Sequence, residues 1–572
     1  SLAWPFGFTP SSTNPCIFDF HARPDTMSSS SSHPFKGRTV AIVNDLTPDE
    51  QWYLYMKTKE LREAVAAGKD LTPFRLKSYE AAVYTIFMED STRTKESFRN
   101  AAEFHGLKVN VFDAQTSSFQ KNETMTDTVK MLVGYSIGQT TFVIRSKIEG
   151  VCTWLDQAIT TYCARQGLPR ASFINAGDGR HEHPSQEMLD GYTFLEQQGF
   201  DRSSIHLALI GDLFHGRTVH SKVDGLKIYG KVEVDLIAPP DLALPPHYEE
   251  RMVALGYSVR KFGSIAEYLA QSKVAKLWYF TRLQLERMGD KVKSMAPLLR
   301  EAVTMQRDFI EKLPAGTKFF HPLPRDARHP TLPFWLDNTE FNGWDRQSQN
   351  GYFARIVLLG MVGGRFGDDF EALTGKPHCP RILTRARSET FDPEDAADYA
   401  VEVPVSDDGP STDPAQALEK GVLIERLAEG RLDEQIFGLV RMVRSVVGLH
   451  GVGTQGIVRP AGSLPSGFIC IPGLELSAWD NDMLKRLACI AAGGVVKDFM
   501  DGKVRKVIEL SLPRKVAGFP NIKCKNEQCV SHPSSGQREV AACFLRVGRE
   551  HVKQPDSAIV APQAAKEYRL EC

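Results

Sequence analysis

The sequence predicts an α/β protein whose N-terminal part forms two domains, each built on a parallel sheet. From residue 36 onward, short strand-like apolar runs alternate with helical patterns, and this alternation is typical of parallel strands flanked by helices. The alternation occurs in two successive sets, which predicts two domains. The first set of runs spans 39–43, 82–88, 108–112, 139–145 and 171–175, and the second spans 205–212, 232–238, 258–262, 277–281 and 318–321.

Polar blocks follow several of these runs, where the strands are expected to end. Ligands of open parallel sheets bind outside the carboxyl ends of the strands. The cleft between the two domains is therefore the predicted site. The blocks are Ser-Thr-Arg-Thr at 91–94, His-Pro-Ser-Gln at 183–186, His-Gly-Arg-Thr-Val-His-Ser at 215–221, Thr-Arg-Leu-Gln at 281–284 and His-Pro-Leu-Pro-Arg at 321–325.

The block at 91–94 has the composition of a phosphate site. It stands between an apolar run and a helical pattern that places Phe98, Ala101 and Ala102 on one face. The first turn of a helix leaves N–H groups unpaired and carries the positive end of the helix dipole. Three hydroxyl groups and a guanidinium at that position form a receptor for phosphate. Helix capping accounts for one hydroxyl and leaves the other polar residues unexplained.

Composition excludes several classes of protein. The 572 residues suffice for about four domains. The chain has 69 Lys and Arg residues against 70 Asp and Glu, so it lacks the basic excess that binding to nucleic acid or a membrane surface requires. No apolar stretch reaches the roughly 18 residues that span a bilayer, and no signal-peptide pattern opens the sequence. Ten scattered cysteines favour reduced thiols and a cytoplasmic location.

The polar blocks, in this order and at similar spacing from about residue 37 to 366, resemble the aspartate carbamoyltransferase family. The resemblance implies transfer of a carbamoyl group from carbamoyl phosphate to L-aspartate, early in pyrimidine biosynthesis, without a cofactor. It also implies a carbamoyl-phosphate-binding domain at 37–180, an aspartate-binding domain at 181–345, and a helix at 346–365 that returns to complete the first domain.

The resemblance assigns roles at the carbamoyl phosphate site. Arg93, Thr94, Arg145 and His183 are the expected catalytic residues, with Thr94, Arg145 and His183 at the carbonyl oxygen. The departing phosphate is expected to take the proton of the nucleophile, since no side chain in the blocks is an evident base. The expected carbamoyl phosphate ligands are Ser91, Thr92, Arg93, Thr94, Arg145, His183, Gln186, Leu323 and Pro324.

The aspartate site is expected to use Arg217, Arg282 and Gln284 from the second domain. Two guanidinium groups and an amide suit the two carboxylates of aspartate, whereas ornithine would need an acidic partner for its side-chain amine. Pro322 points the same way, because ornithine enzymes usually have cysteine there. Transfer to ornithine or another amine is one alternative, and a non-catalytic scaffold subunit of the same fold is another.

Ser117 and Lys121 resemble a loop that, in the family, enters the active site of the neighbouring subunit, where Lys121 also binds aspartate. If the loop acts in this way, a monomer has no complete site. A homotrimer or a higher homo-oligomer is therefore expected.

Two stretches of the sequence, at the N-terminus and after the predicted helix at 346–365, lack the patterns of a folded domain. Residues 1–36 are rich in Ser and Pro, and we expect them to be disordered or to precede the natural start. Residues 370–416 include an acidic, Pro- and Ser-rich stretch, which predicts a linker.

Residues 417–520 resemble the regulatory chain of aspartate carbamoyltransferase and predict an α+β domain. Cys470, and Val507 beside Lys506, stand where the regulatory chain has lysines for the effector phosphates, which puts control by ATP or CTP in doubt.

Residues 521–572 resemble the zinc domain of the regulatory chain, a small zinc-ribbon-like β domain in which four thiolates hold a structural Zn²⁺. Cys524 and Cys529 have the expected spacing, and Cys572 is the expected third ligand, with the fourth beyond the end of the sequence. Cys543 and His532 are alternative ligands. Residues 451–456 fit a dinucleotide-binding fingerprint by sequence, but no strand and helix flank them, so we expect a loop.

Overall fold

The structure is a computed structural model that describes residues 33–76, 81–113, 123–285, 288, 292, 294–378, 399–405, 418–447, 453–459, 462, 464–517, 524–537, 540, 543–548 and 568–571. The expected N-terminal extension, apart from residues 33–36, lies outside these residues. Among the described helices, none is long and apolar enough to cross a lipid bilayer.

The first domain is a four-stranded parallel sheet in the order β2-β1-β3-β4, with helices on both faces. All seven residues of β4 are buried, as expected for a parallel strand that is covered on both faces. The strands are β1 Ala82–Phe87, β2 Lys108–Asp113, β3 Thr140–Ser146 and β4 Ser172–Asp178. The helices are α1 Pro48–Ala66, α2 Thr92–Phe104, α3 Met125–Val133, α4 Val151–Gln166 and α5 Pro184–Gln197. Helix α5 was expected in the second domain at 181–345, but it packs on β4 and α1 and so belongs to the first.

The predicted strand at 39–43 is wrong. Val40 makes a single parallel bridge to Ile174, and the chain then enters a 3-10 turn at Val43–Asp45. The carboxylate of Asp45 accepts hydrogen bonds from Ala41 N at 2.7 Å and Ile42 N at 3.0 Å. These N–H groups are therefore occupied locally and cannot extend a strand ladder.

The second domain is a five-stranded parallel sheet in the order β7-β6-β5-β8-β9, as the second set of apolar runs predicts. Its core includes the fully buried Trp278 and Tyr268. The strands are β5 Ser204–Ile210, β6 Lys231–Ile237, β7 Ser258–Phe262, β8 Leu277–Phe280 and β9 Lys318–Phe320. The helices are α6 Arg217–His220, α7 Lys222–Gly225, α8 Pro246–Ala254, α9 Ile265–Leu269 and α10 Ala296–Val303.

Helix α11, Trp344–Val362, returns from the second domain and packs against α1, α2 and α5. The predicted helix at 346–365 is thus confirmed in position. Its segment from Ala354 to Val362 is entirely buried, which explains the apolar pattern of its sequence. The helix joins the two sheets and forms one wall of the space between them.

The predicted linker at 370–416 is too long at both ends. Helix α12, Phe370–Thr374, packs on the first domain, where the Phe370 ring lies 5.3 Å from that of Tyr53. At the other end, β10, Ala400–Val403, pairs with a strand of the next domain. Neither element was predicted from sequence, because each lies beside Pro-, Ser- and Asp-rich residues and has few apolar residues of its own. Those apolar residues pack against elements that are distant in the sequence.

The regulatory-like region is α+β, as expected. Among its described residues, six antiparallel strands form a sheet in the order β10-β15-β14-β11-β13-β12. Residues 454–456, expected in a loop, belong to the edge strand β12, so the dinucleotide pattern lacks a strand-to-helix turn. After β10, the elements are β11 Lys420–Leu427, α13 Asp433–Val447, β12 Thr454–Val458, β13 Ser466–Pro472, α14 Asn481–Ile490, β14 Val495–Met500 and β15 Lys503–Leu510.

The C-terminal segment contains a three-stranded antiparallel sheet of β16 Lys515–Ala517, β17 Cys543–Gly548 and β18 Tyr568–Glu571. The stretch from 524 to 537 docks on the first domain at Glu149. Glu149 N donates to Gln528 O at 2.7 Å, and Val530 N donates to Glu149 O at 2.9 Å. Asn526 Nδ2 also donates to the Glu149 carboxylate at 2.5 Å. The cysteine-bearing stretch therefore contacts the first domain of its own chain.

Candidate active site

A cavity of about 540 Å³ lies between the two parallel sheets, at the carboxyl ends of their strands. Its walls come from the N-terminus of α2, the start of α5, the loops after β5, β8 and β9, and helix α11. The cavity brings together every expected site residue of the catalytic unit that the structure describes. These residues are Ser91, Thr92, Arg93, Thr94, Arg145, His183, Gln186, Arg217, Arg282, Gln284, Leu323 and Pro324.

The expected phosphate block forms the N-terminus of α2. Ser91 is the residue before the helix, and its side chain makes no capping hydrogen bond there. The Arg93 side chain makes no hydrogen bond or ion pair with any residue that the structure describes. The residue is exposed, but partial desolvation by the surrounding protein lowers the pKa of its guanidinium. An uncapped helix start and an unpaired guanidinium on one cavity wall can both receive an anion.

Two further arginines meet across the cleft at Glu89. Arg217 Nη1 donates to Glu89 Oε2 at 3.1 Å, and Arg145 Nε lies 3.8 Å from the same oxygen. Arg145 Nη1 also donates to Ala176 O at 3.1 Å. Because Arg145 belongs to the first domain and Arg217 to the second, Glu89 links the two domains. Sequence analysis missed Glu89, because an acidic residue two positions before Ser91 gives no sign of an anion site.

Gly177 makes room for these guanidinium groups. Its φ of +112° lies in the region that favours glycine. A Cβ atom at this position would lie 2.9 Å from Arg217 Cζ and 3.2 Å from Arg145 Nη1. The Asn-Ala-Gly-Asp-Gly sequence before His183 therefore allows two arginines to approach one backbone segment.

His183 lies at the start of α5 and is 4 % exposed. Burial, followed by the charges of Arg145, Arg217 and Arg355, lowers the pKa of His183 well below its usual range. The imidazole is therefore neutral near pH 7, and it can donate one hydrogen bond without adding a further charge. His183 N donates to Ser221 Oγ at 3.0 Å, which holds the residue against the second domain.

Gln186 is oriented by a buried polar network. Its Nε2 donates to Asp190 Oδ1 at 2.9 Å, which leaves the amide oxygen available as an acceptor. Asp190 also accepts from Lys222 Nζ at 2.7 Å and from Gln347 Nε2 at 2.6 Å. Gln347 Oε1 in turn accepts from His321 N at 2.9 Å, so the network reaches the loop that carries Leu323 and Pro324.

The second-domain residues line the opposite wall. Gln284 Nε2 donates to His215 O at 3.1 Å, and Gln284 N donates to Asp212 Oδ2 at 3.2 Å. Arg282 lies beside it and donates to Leu283 O at 3.4 Å. In the loop after β9, Leu323 N donates to His321 Nδ1 at 2.7 Å, and burial lowers the pKa of His321 to about 3. His321 is therefore neutral, with its proton on Nε2.

The structure describes only some of the residues expected at the subunit-shared site and at the zinc site. Ser117, Lys121 and Cys572 lie outside the described residues. Cys524 and Cys529 border one small apolar cluster, and Cys529 Sγ lies 3.2 Å from Ser531 Oγ. Within the described part of the chain, no group of three or more His, Cys, Asp or Glu residues could hold a metal ion. The zinc site stays a prediction.

In the regulatory-like region, Cys470 is buried among Leu423 and Phe499. The basic side chains nearby have acidic partners. Lys506 Nζ lies 2.8 Å from Glu402 Oε2, and Lys497 Nζ lies 2.7 Å from Glu425 Oε1.

Comparison with known proteins identifies sequence relatives of this chain. The family model of the aspartate/ornithine carbamoyltransferase carbamoyl-P binding domain matches residues 38–196. Protein PyrBI of Thermotoga maritima is 44% identical over 521 residues, covering 90% of this chain and 95% of that protein. The aspartate carbamoyltransferase catalytic subunit of Methanothrix thermoacetophila is 33% identical over 331 residues, covering 57% of this chain and 98% of that subunit.

Among solved structures, aspartate transcarbamoylase of Trypanosoma cruzi in complex with N-(phosphonacetyl)-L-aspartic acid is 26% identical. The match covers 58% of this chain and 97% of that chain, with a TM-score of 0.49.

Two parallel α/β domains with a cationic cavity between them, and the matched carbamoyl-P binding domain, define a carbamoyltransferase. More specifically, the chain belongs to the aspartate carbamoyltransferase family. It is a transferase that carbamoylates L-aspartate in pyrimidine biosynthesis, and its C-terminal third corresponds to the additional part of the PyrBI relatives.

Proposed function

We propose that the cavity between the two α/β domains is the site of this reaction, with carbamoyl phosphate on the first domain and L-aspartate on the second. The observation that carries the proposal is the convergence of Arg93, Arg145, Arg217 and Arg282 in one cavity beside the neutral His183. Both substrates are multiply charged anions, and guanidinium groups bind phosphate and carboxylate oxygens in bidentate fashion.

In this proposal, carbamoyl phosphate places its phosphate on the α2 N-terminus, near Ser91, Thr92, Arg93 and Thr94. The free Gln186 amide oxygen accepts from the carbamoyl NH₂ group, because its own nitrogen is occupied by Asp190. The backbone carbonyls of Leu323 and Pro324 bind the carbamoyl amide and the incoming amine. This arrangement presents the carbonyl carbon to the second domain.

The neutral α-amino group of aspartate then attacks the carbonyl carbon, and negative charge grows on the carbonyl oxygen. Thr94, Arg145 and His183 stabilise that charge as hydrogen-bond donors. The new C–N bond forms, the bond between the carbonyl carbon and the phosphate oxygen breaks, and phosphate leaves. The nitrogen loses its proton to the departing phosphate, so no dedicated base is needed.

Arg217, Arg282 and Gln284 bind the carboxylates of aspartate and select the acceptor. Of the described carboxylates at the cavity, Asp90 is exposed and Glu89 is already paired with Arg145 and Arg217, and both belong to the first domain. The side-chain ammonium of ornithine would therefore face second-domain cations without an acidic partner. The non-catalytic scaffold alternative has no comparable support, since every described catalytic position retains the expected residue.

The test is carbamoyl transfer by the full chain to L-aspartate and to L-ornithine at equal concentration. We expect turnover with aspartate and at least about 100-fold less with ornithine, because unpaired like charges are strongly disfavoured. Equal rates would contradict the acceptor assignment. No turnover with either amine would favour the scaffold alternative.

Ser117 and Lys121 are proposed to act in the cavity of a neighbouring subunit of a homotrimer. Lys121→Ala chains mixed with Arg93→Ala chains should then regenerate some intact sites, because each defect lies on a different chain. A control mixture of Arg93→Ala with His183→Ala, both from the same wall, should recover no activity. If subunit exchange is confirmed by mass and the first mixture also stays inactive, Lys121 does not act across an interface.

The C-terminal proposals are a regulatory-like domain at 417–520 and a zinc domain at 521–572. Support for a structural Zn²⁺ is the placement of Cys524 and Cys529 around one cluster with Phe544. The last described residue, Glu571, pairs with Leu545, next to Phe544, and Cys572 follows Glu571 in sequence. A cytoplasmic location is proposed from the cysteine usage alone. A nucleotide effector, bound only weakly because Cys470 and Val507 stand in place of lysines, is proposed from the family resemblance alone.

A further inference from the structure

Helix α11 places a buried arginine on the cavity wall that has no assigned role. Arg355 is 4 % exposed and lines the cavity together with Arg93 and Ser97. Sequence analysis gave it no role, because it lies in an apolar helix pattern far from the polar blocks. Its burial sets it apart from Arg93, which is exposed.

Arg355 lacks the acidic partner that a buried cation normally has. Its Nη1 is hydrogen-bonded to Ser97 Oγ, whereas its Nε has no hydrogen-bond partner among the described residues. None of the carboxylates that the structure describes forms an ion pair with its guanidinium within 4.0 Å, and Asp190 acts on it only as a nearby charge. The guanidinium also lies over the Phe98 ring, whose centroid is 5.1 Å from Cζ.

Lys222 provides a comparison within the same molecule. It is also fully buried, but its Nζ lies 2.8 Å from Glu187 Oε2 and 2.7 Å from Asp190 Oδ2. Two carboxylates therefore balance its charge. Burying a cation without such a partner costs free energy, which a folded protein tolerates where a ligand supplies the missing charge.

The surroundings of Arg355 indicate which ligand that is. Ser97 Oγ, its hydrogen-bond partner, donates to Arg93 O at 2.6 Å and lies 3.1 Å from Thr94 O. These carbonyl groups belong to the first turn of α2, the proposed phosphate site. Arg355 is thus joined through one hydroxyl to the segment that is proposed to bind the phosphate.

The charge state of Arg355 is consistent with a role in binding phosphate. Burial and the nearby Arg93 lower the pKa of Arg355 to about 10, while Asp190 raises it. The guanidinium remains charged at pH 7, and its charge also contributes to keeping His183 neutral. A second positive charge behind Arg93 strengthens the attraction for a dianion.

We propose that Arg355 is a further binding residue for the phosphate group of carbamoyl phosphate, kept without an acidic partner so that the substrate supplies its counter-charge. The inference rests on the proposed phosphate site at α2. It makes two predictions that a purely structural arginine would not satisfy, one on the stability of the free chain and one on phosphate binding.

The first experiment compares the melting temperatures of the full chain, Arg355→Met and Lys222→Met without ligand. Methionine fills a similar volume, so Arg355→Met should melt near the parent or above it, because an uncompensated charge is removed. Lys222→Met should melt far lower, since it leaves two buried carboxylates unpaired. If Arg355→Met melts as low as Lys222→Met, or does not fold, Arg355 is structural and the inference is wrong.

The second experiment measures the gain in melting temperature that saturating inorganic phosphate gives each variant. Arg355→Met should lose more than half of the gain of the parent, and Arg355→Lys, which keeps the charge, should retain more of it. Steady-state kinetics should show a KM for carbamoyl phosphate raised about 10- to 100-fold, with the KM for aspartate little changed.

The Arg93→Ala variant distinguishes failure of the Arg355 inference from failure of the proposed phosphate site. If Arg93→Ala loses the phosphate gain but Arg355→Met keeps it, the role of Arg355 is overturned while the phosphate site stands. If Arg93→Ala also keeps the full gain, the proposed phosphate site itself is wrong, and the inference falls with it.

Discussion

The catalytic cavity and the regulatory-like sheet both carry basic side chains, but they pair them differently. In the cavity, Arg145 and Arg217 share Glu89, but Arg93 and Arg355 have no carboxylate partner among the described residues. In the sheet, Lys497 lies 2.7 Å from Glu425, Lys506 lies 2.8 Å from Glu402, and Arg505 Nη2 lies 2.5 Å from Asp498.

This difference separates a site prepared for an anion from a surface that is already neutralised. A cation that is paired in the free protein must lose its partner, or share it, before it can bind a phosphate. An unpaired cation gains the full charge-assisted interaction. The cavity is therefore the stronger candidate for phosphate binding, and the regulatory-like sheet the weaker one.

Among the substitutions predicted to affect the cavity, removal of Arg93 should have the largest effect on activity. Arg93→Ala should lower kcat/KM about 10³-fold, or about 4 kcal/mol of transition-state stabilisation, because an unpaired charge at the phosphate is lost. Steady-state kinetics checks this prediction. Activity within tenfold of the parent would remove Arg93 from the phosphate site.

Removal of His183 should have the next largest effect. His183→Ala removes one neutral donor from the growing oxyanion and should lower kcat about 10²-fold. Because the pKa of His183 is well below its usual range, its ionisation should not appear in the pH–rate profile between pH 6 and pH 8. A profile with an essential group near pH 6.5 that disappears in His183→Gln would contradict the neutral imidazole.

Acid should weaken the catalytic unit through its buried histidines. Burial lowers the pKa of His105 to about 4, so His105 stays neutral in the folded protein while the unfolded chain binds a proton near pH 6.5. Folded stability should therefore fall as the pH falls from 6.5 towards 4, by about 2 kcal/mol for this residue at pH 5. His105→Gln should show a smaller drop in melting temperature between pH 7 and pH 5. An equal drop would show that His105 is not held neutral.

Arg282→Ala should have a more selective effect. It should raise the KM for aspartate about tenfold and leave the KM for carbamoyl phosphate within about threefold, because the two substrates are proposed to bind different domains. Arg93→Ala serves as the opposite control. Equal loss of both affinities in Arg282→Ala would contradict the division between domains.

The smallest effect is expected at the regulatory-like sheet. Addition of CTP or ATP should change the rate less than about twofold, because Lys497 and Lys506 are already paired and Cys470 replaces a basic residue. Glu402→Gln would free Lys506 and should increase any nucleotide effect. A strong CTP response in the parent chain would show that the ion pairs open for the effector.

Much of this catalytic fold was predictable from sequence, because its parallel strands are buried and read as continuous apolar runs. The exception at 39–43 has an equally local cause, since Asp45 takes up the backbone N–H groups. The six-residue block of β1 and the polar residues after it were recognisable because strand, turn and helix follow one another directly.

The cavity was predictable only in part. Residues in polar blocks, such as Arg93 and His183, carry a local signal. Glu89 does not, since an acidic residue runs against the logic of an anion site, and its role emerges only from its contacts with Arg145 and Arg217. Arg355 is brought in by the return of α11, a long-range contact that no local pattern of residues reveals.

The most direct test of the central claim is calorimetric titration of the full chain with carbamoyl phosphate in the absence of aspartate. Lys506→Ala, which removes a paired cation, should bind with the affinity of the parent, whereas Arg93→Ala should bind at least about tenfold more weakly. If binding is lost in Lys506→Ala and retained in Arg93→Ala, the phosphate site lies outside the cavity and the account is wrong.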